Sequence, residues 1–301
     1  MNRRWQPFSG DFAGAALCLC AGLALSSLAG AQSPAGSTAV QVPSLDQARG
    51  TAVVLPGHWF AAPGNVAAPA MVLMHGCGGN QDGKGRLAAR YTELAGRLNA
   101  MGVHVLVTDS FTSRGEKEIC TQKTGQRRIT QLHRRRDALG ALQWLAVQPG
   151  VDASRLGLLG WSNGGSTVLA ATNLKHGEVA AAAVRPSLAV AFYPGCESER
   201  DRGYAPSSPL LMLLGEADDW TPAGPCKTMA AAVRQGPAPV WESYSGAHHG
   251  FDGTAPIRLR ADVPNGVNPG QGVHVGADPA AREAAAKKLA SFIRETWRLN
   301  P

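Results

Sequence analysis

Leu156-Gly157-Leu158-Leu159-Gly160-Trp161-Ser162-Asn163-Gly164 is the stretch that decides the fold. An apolar run suited to a buried strand leads directly into G-x-S-x-G, and a small-residue helix is expected from Asn163 onward. A serine on such a strand-to-helix turn stands exposed at the sheet edge. The flanking positions must be glycine, because side chains there would strike neighbouring backbone. The helix that follows points its amide dipoles at any negative charge developing beside the serine. An ordinary Gly-Ser turn would lack this context, so Ser162 is the candidate nucleophile.

Outward from this point, short apolar runs alternate with amphipathic stretches. Met71–Met74, Val103–Val107, Leu188–Phe192, Leu210–Leu214 and Val240–Tyr244 are expected strands. Helical spacing recurs in Leu87, Tyr91, Leu94 and Leu98, in Ile129 to Leu145, and in Ala223 to Arg234. Asp278-Pro279, a capping residue followed by proline, opens a last helix running to about Trp297. Continuous apolar strands separated by helices predict an α/β fold, a doubly wound and mostly parallel sheet with helices on both faces. Trp144, Phe192 and Leu211 are expected in its core. Function should gather in the loops at the carboxyl ends of the strands.

A serine hydroxyl is a weak nucleophile and needs a base held by a carboxylate. On this fold the chain order is serine, then Asp or Glu, then histidine. Gly215-Glu216-Ala217-Asp218-Asp219-Trp220-Thr221-Pro222 follows one expected strand, and Gly246-Ala247-His248-His249-Gly250-Phe251 follows the next. Position alone leaves Asp218 or Asp219, and His248 or His249. His75-Gly76-Cys77-Gly78-Gly79 follows the first strand, and its small residues let backbone amides face a substrate oxygen. The expected oxyanion donors are the amides of Asn163 and Cys77, with Gly76 a near alternative to Cys77. His75 is expected to be structural.

Arg114, in the loop after Val103–Val107, could hold a substrate carboxylate, although an ion pair shaping the loop is the favoured expectation. Arg127, Arg128 and Arg134–Arg136 are expected to be a solvated helix face. The chain has 301 residues, 17% of them charged, and its formal charge of +7 is scattered rather than gathered on one element, which argues against nucleic acid as a partner. Its 36 glycines show no triplet period, which excludes collagen.

Arg3 and Arg4, an apolar stretch from about Ala13 to Leu28, and Ala29-Gly30-Ala31 form the pattern of a secretory signal peptide cut before Gln32. The expected organisation is a signal peptide over 1–31, a Ser/Pro/Ala/Gln-rich linker over 32–50 and one domain over 51–301. The protein would be secreted or periplasmic, with no stable membrane association after cleavage. No metal-binding spacing such as CxxC or HExxH occurs, and no cofactor is expected.

His75-Gly-Cys-Gly-Gly79, Gly160-Trp-Ser-Asn-Gly164, Gly215-Glu-Ala-Asp-Asp-Trp-Thr-Pro222 and His248-His-Gly-Phe251 together resemble the dienelactone hydrolase family of α/β-hydrolases, most of all its exported, serine-type members. The likeness runs from about Thr51 to Trp297. The family's Gly-x-x-Asp-x-x-x-Pro falls on Gly215, Asp218 and Pro222, which implies Asp218 as the acid. Its histidine precedes Gly-Phe, which implies His249. Dienelactone hydrolase itself carries a cysteine where this chain has Ser162, so the likeness points to ester or lactone hydrolysis rather than to dienelactone as substrate. A peptidase or amidase with the same triad and a non-catalytic binding protein on a hydrolase fold are the other readings.

Cys77, Cys120, Cys196 and Cys226 remain after signal removal, and spacing alone does not choose among their three pairings. Their places just beyond the expected strands favour Cys77–Cys120, pinning the first loop, and Cys196–Cys226, bracing the acid loop.

Overall fold

The computed structural model describes residues 36–48 and 50–300, together with Met1, Asn2, Arg4 and Gln6. Most of the expected signal peptide lies outside the described residues. The fold resides in the second of two units, Met1–Gln32 and Ser33–Pro301. No described helix is long and apolar enough to cross a membrane.

The strands are β1 (Thr38–Ala48), β2 (Thr51–Phe60), β3 (Ala68–Met74), β4 (His104–Thr108), β5 (Val151–Trp161), β6 (Leu188–Phe192), β7 (Leu210–Gly215), β8 (Val240–Tyr244), β9 (Arg258–Arg260) and β10 (Val273–Val275). The helices are α1 (Ala89–Ala100), α2 (Gln131–Ala146), α3 (Asn163–Thr172), α4 (Gly177–Ala180), α5 (Glu197–Arg202), α6 (Ala223–Ala232) and α7 (Pro279–Trp297). One eight-stranded sheet has the order β1-β2-β4-β3-β5-β6-β7-β8. The six strands from β4 to β8 in that order run parallel, and β2 and then β1 join antiparallel at one edge. β9 and β10 form a separate small hairpin.

Successive strand residues point to opposite faces, so the core has two layers. Val72, Leu158 and Met212 pack with Leu142, Val168 and Leu169 of α2 and α3. Met71, Leu73 and Leu211 pack on the other face with Leu98 of α1 and Ile293 and Trp297 of α7. This is the doubly wound arrangement expected. Phe192 and Leu211 are buried, whereas Trp144 is only half-buried against its layer. Asp278 caps α7 by accepting from the Ala281 amide at 3.0 Å.

Two expectations are corrected. The stretch 32–50 is not simply a linker, because Thr38–Ala48 is β1, an edge strand of the sheet. Its inward positions are Val42, Ser44 and Asp46, two of them polar, so the apolar alternation that marks a strand is missing. Those polar groups are satisfied from outside the strand. Ser44 Oγ donates to Asp137 Oδ1 at 2.6 Å, and Arg114 Nη2 donates to Asp46 Oδ2 at 2.9 Å. The basic run on α2 is likewise not a uniformly solvated face. Arg134 is fully buried and Arg135 nearly so, because α2 lies beneath β1. The approach is so close that a Cβ on Gly140 would stand 2.4 Å from Pro43 O.

Candidate active site

β5 delivers the serine. Ser162 has φ 53° and ψ −119°, a conformation that non-glycine residues seldom adopt and that sets its side chain at the end of the sheet. The turn closes only with glycine on both sides. A Cβ on Gly160 would lie 2.2 Å from Gly164 O, and one on Gly164 would lie 2.1 Å from Met74 O.

The loops after β7 and β8 bring Asp218 and His249 to this serine. Ser162 Oγ donates to His249 Nε2 across 2.9 Å, and His249 Nδ1 donates to Asp218 Oδ2 across 2.8 Å. A carboxylate only accepts, so the proton on this imidazole sits at Nδ1 and leaves Nε2 free to accept. Asp218 Oδ1 accepts from the Trp220 and Thr221 amides, both at 2.8 Å, which hold the carboxylate in place. Thr221 Oγ1 lies 3.0 Å from His249 Nδ1 and donates to Tyr193 O at 2.9 Å. Asp219 and His248 are elsewhere. Asp219 binds exposed His274, accepting at 2.7 Å from its Nδ1 and at 2.8 Å from its backbone amide.

The imidazole of His249 is wedged between two aromatic rings, Tyr193 and Trp220, each 4.6 Å away between centroids. Tyr193 itself has φ 35°. Its hydroxyl donates to Asp252 Oδ1 at 2.6 Å and accepts from Arg90 Nη1 at 2.9 Å. Asp252 also takes Trp161 Nε1 at 2.8 Å and Arg90 Nη2 at 3.2 Å. Burial, with Asp252 beside it, raises the Tyr193 phenol well above its ordinary range, so it stays protonated and remains a donor. No sequence motif singles out Tyr193, Asp252 or Arg90. Their chain separations carry no pattern, and only the fold joins them behind the histidine.

The Cys77 and Asn163 amides have no hydrogen-bond partner among the described residues, and both residues line one cavity of about 580 Å³ with Ser162. Arg134 reaches both loops from below. Its Nη1 donates to Asn163 Oδ1 at 2.5 Å and its Nη2 to His75 O at 2.7 Å, while its guanidinium lies over Phe111 at 5.2 Å. It makes no ion pair among the described residues. Burial lowers its pKa to about 10, an effect Asp137 partly offsets, and at neutral pH it remains a cation. His75 Nδ1 donates to Gly76 O at 2.7 Å, and its Nε2 accepts from the Ser110 amide at 3.1 Å. Burial, and next the nearby Arg134 charge, lower its pKa to about 3, so it is neutral and structural.

Arg114 is not brought to this cavity. Asp137 takes it bidentately at 2.7 and 3.0 Å, Asp46 at 2.9 Å and Ser110 O at 2.7 Å, so the loop-shaping ion pair accounts for it. The arginine that does line the cavity is Arg127, half-buried and with no ion pair among the described residues. Burial lowers its pKa, partly offset by Glu118. The segment around Pro264–Pro269, to which the sequence assigned no element, forms another part of the wall. Cys77 is bonded to Cys120 and Cys196 to Cys226, with Cα atoms 4.9 and 5.0 Å apart. The first bridge anchors the loop that carries the Cys77 amide. The side chains of Asp219, His248 and His274 place three donor atoms within 4.8 Å of one another, a set that could take a divalent ion although their spacing in sequence gives no metal signature.

The sheet order and the strained serine elbow define an α/β-hydrolase. The family model of the dienelactone hydrolase family matches residues 58–297. The chain belongs to that family, which places it among the carboxylic ester hydrolases. None of the curated proteins matches it in sequence. Among solved structures it is similar to Thermogutta terrifontis esterase 2 phosphorylated by paraoxon, with 16% identity, a TM-score of 0.62, and 89% of this chain and 96% of that one covered. It is also similar to the dienelactone hydrolase-like promiscuous phosphotriesterase P91 from metagenomic libraries, with 20% identity, a TM-score of 0.60, and coverage of 87% and 99%. At these identities the likeness is one of fold.

Proposed function

We propose that this protein is an exported serine hydrolase that cleaves carboxylic esters or lactones through an acyl-enzyme. The observation that carries the reading is the 2.9 Å contact between Ser162 Oγ and His249 Nε2, with Asp218 on the far nitrogen. His249 takes the Ser162 proton as Oγ attacks the carbonyl carbon, and the electron pair of the C=O bond moves onto oxygen. The amides of Cys77 and Asn163 receive that oxyanion. As the tetrahedral intermediate collapses, His249 gives its proton to the departing alkoxide and the acyl group stays on Ser162. Water gives a proton to His249 as it attacks the acyl carbon. The bond from that carbon to Ser162 Oγ then breaks, Oγ takes the proton from His249, and the carboxylic acid leaves. Asp218 holds the imidazole tautomer and stabilises the imidazolium. No step needs a metal or cofactor.

Two disulfides suit an oxidising compartment, which supports export. The names of the similar structures, an esterase phosphorylated by paraoxon and a phosphotriesterase, belong to enzymes acting on electrophilic esters. The unpaired Arg127 in the cavity wall favours substrates with an anionic group near the scissile bond. A panel of matched aryl esters, lactones and anilides, each neutral or bearing a carboxylate, tests the reading. Turnover of esters or lactones with preference for the anionic members is expected. Turnover of anilides alone would make it an amidase, and no turnover of any would favour the binding protein.

A further inference from the structure

A second cavity, of about 430 Å³, opens between α1 and α7; His249 is among its lining residues and Ser162 is not. Leu94, Leu98 and Met101 form one wall and Ala286, Leu289 and Ile293 the facing one. Buried Trp161 and Phe192 also line it. Protein interiors are close-packed, so a hollow of this size with apolar walls falls in the range of ligand pockets rather than packing defects.

Charge at its edge is unbalanced. Arg90, Arg97, Arg258 and Arg282 line it against only Glu93 and Asp252. Arg282 pairs with Glu93 at 3.3 Å and Arg90 with Asp252 at 3.2 Å. Arg97 and Arg258 are exposed and make no ion pair among the described residues. An apolar chamber whose remaining charges are two guanidinium groups is complementary to an amphipathic anion, and guanidinium matches carboxylate geometry.

We propose that this cavity binds a small carboxylic acid with an aliphatic or aryl body, the body lying between α1 and α7 and the carboxylate at Arg97 and Arg258. The occupant would sit against Arg90 and Asp252, which hold the Tyr193 hydroxyl, and the Tyr193 ring packs on His249 at 4.6 Å. His249 itself also lines this cavity, so binding there bears on the histidine. Ser162 does not line the cavity, so occupancy does not require a free Ser162 hydroxyl.

Calorimetric titration of the purified protein with octanoate and 4-phenylbutyrate, set against 1-octanol and 4-phenylbutanol, tests this. The acids should bind more tightly than the alcohols by about tenfold or more, a difference that two guanidinium groups with no ion pair among the described residues can supply. Ala286→Trp, which fills the cavity, should weaken acid and alcohol alike by about tenfold or more. Arg97→Glu with Arg258→Glu, both on exposed side chains, should weaken only the acids. Binding should persist when Ser162 is covalently blocked by a fluorophosphonate, and the substitutions decide the matter even if that reagent does not label. Circular dichroism confirms that each variant is folded. Acids binding no better than alcohols, affinities unchanged in the substituted proteins, loss of binding on blocking Ser162, or no binding at millimolar acid would each overturn the proposal.

Discussion

Arg134 Nη1 donates to Asn163 Oδ1 at 2.5 Å from a side chain that is wholly buried and lacks an ion-pair partner among the described residues. The same guanidinium holds His75 O at 2.7 Å, so one cation ties together the two loops that carry Cys77 and Asn163, both lining the cavity. A buried charge with no direct ion-pair partner is costly, and Asp137 offsets that cost only in part. Its retention beside the proposed oxyanion site suits a group that keeps both donors aligned and adds positive potential where negative charge develops.

Arg134→Gln should lower kcat by about tenfold or more while KM for a small aryl ester stays near wild type, since aligned donors act mainly in the transition state. Arg134→Lys should recover part of the loss. Steady-state kinetics on both variants, with thermal melting to exclude unfolding, is the check. Equal effects on kcat and on stability alone would reduce Arg134 to a packing role.

Asp218→Asn should reduce turnover by about 10⁴-fold, because the imidazole then loses its proton-holding partner and its tautomer. Asp219→Asn should change it by no more than about twofold, since Asp219 is engaged with exposed His274 at the surface. The pair His249→Ala and His248→Ala should divide in the same way. Initial rates on an activated ester measure all four. A reversed order in either pair would move the triad by one residue.

Removing a disulfide should separate stability from activity. The bridges close segments of 43 and 30 residues, and each is worth roughly 3–4 kcal/mol by loop entropy. Cys196→Ala with Cys226→Ala should lower the urea midpoint and leave kcat per folded molecule almost unchanged. Cys77→Ala with Cys120→Ala should lower both, because Cys77 lines the cavity and its amide is a proposed oxyanion donor. Similar kcat values for the two double variants would detach the first bridge from catalysis.

His75 gives a pH signature. Its ordinary pKa of 6.5 falls to about 3 in the folded protein, chiefly through burial and then through Arg134. Between these values the unfolded chain binds a proton that the native one refuses. Stability is therefore full above pH 6.5 and declines as pH falls toward about 3. This single group contributes a slope of up to about 1.4 kcal/mol per pH unit within that window. His75→Gln, which cannot titrate, should flatten the urea-midpoint profile there. An unchanged slope would mean that His75 is already protonated in the native state.

Much of the architecture was legible because its parallel strands are buried on both faces and stand as apolar runs, as in Leu210–Leu214 and Leu188–Phe192. The serine elbow was legible for a steric reason, since Gly160 and Gly164 each meet backbone within 2.2 Å of a would-be Cβ. β1 was hidden because Ser44 and Asp46 point inward and are satisfied by Asp137 and Arg114, partners far away in sequence. Arg134 was hidden for the related reason that a buried and an exposed arginine on a helix look alike until the neighbouring loops are known. Arg127 was lost in the same basic run. The Tyr193–Asp252–Arg90 group has no motif, because one residue of α1 and two from separate loops meet only once the sheet has folded.

Incubation with a fluorophosphonate followed by peptide mass spectrometry decides whether Ser162 Oγ is the attacking atom. Stoichiometric modification of the peptide bearing Gly160-Trp161-Ser162-Asn163-Gly164 is expected, with hydrolysis of esters falling in step, and no modification of Ser162→Ala. Full esterase activity in Ser162→Ala, or inactivation with the adduct on another residue, would contradict it.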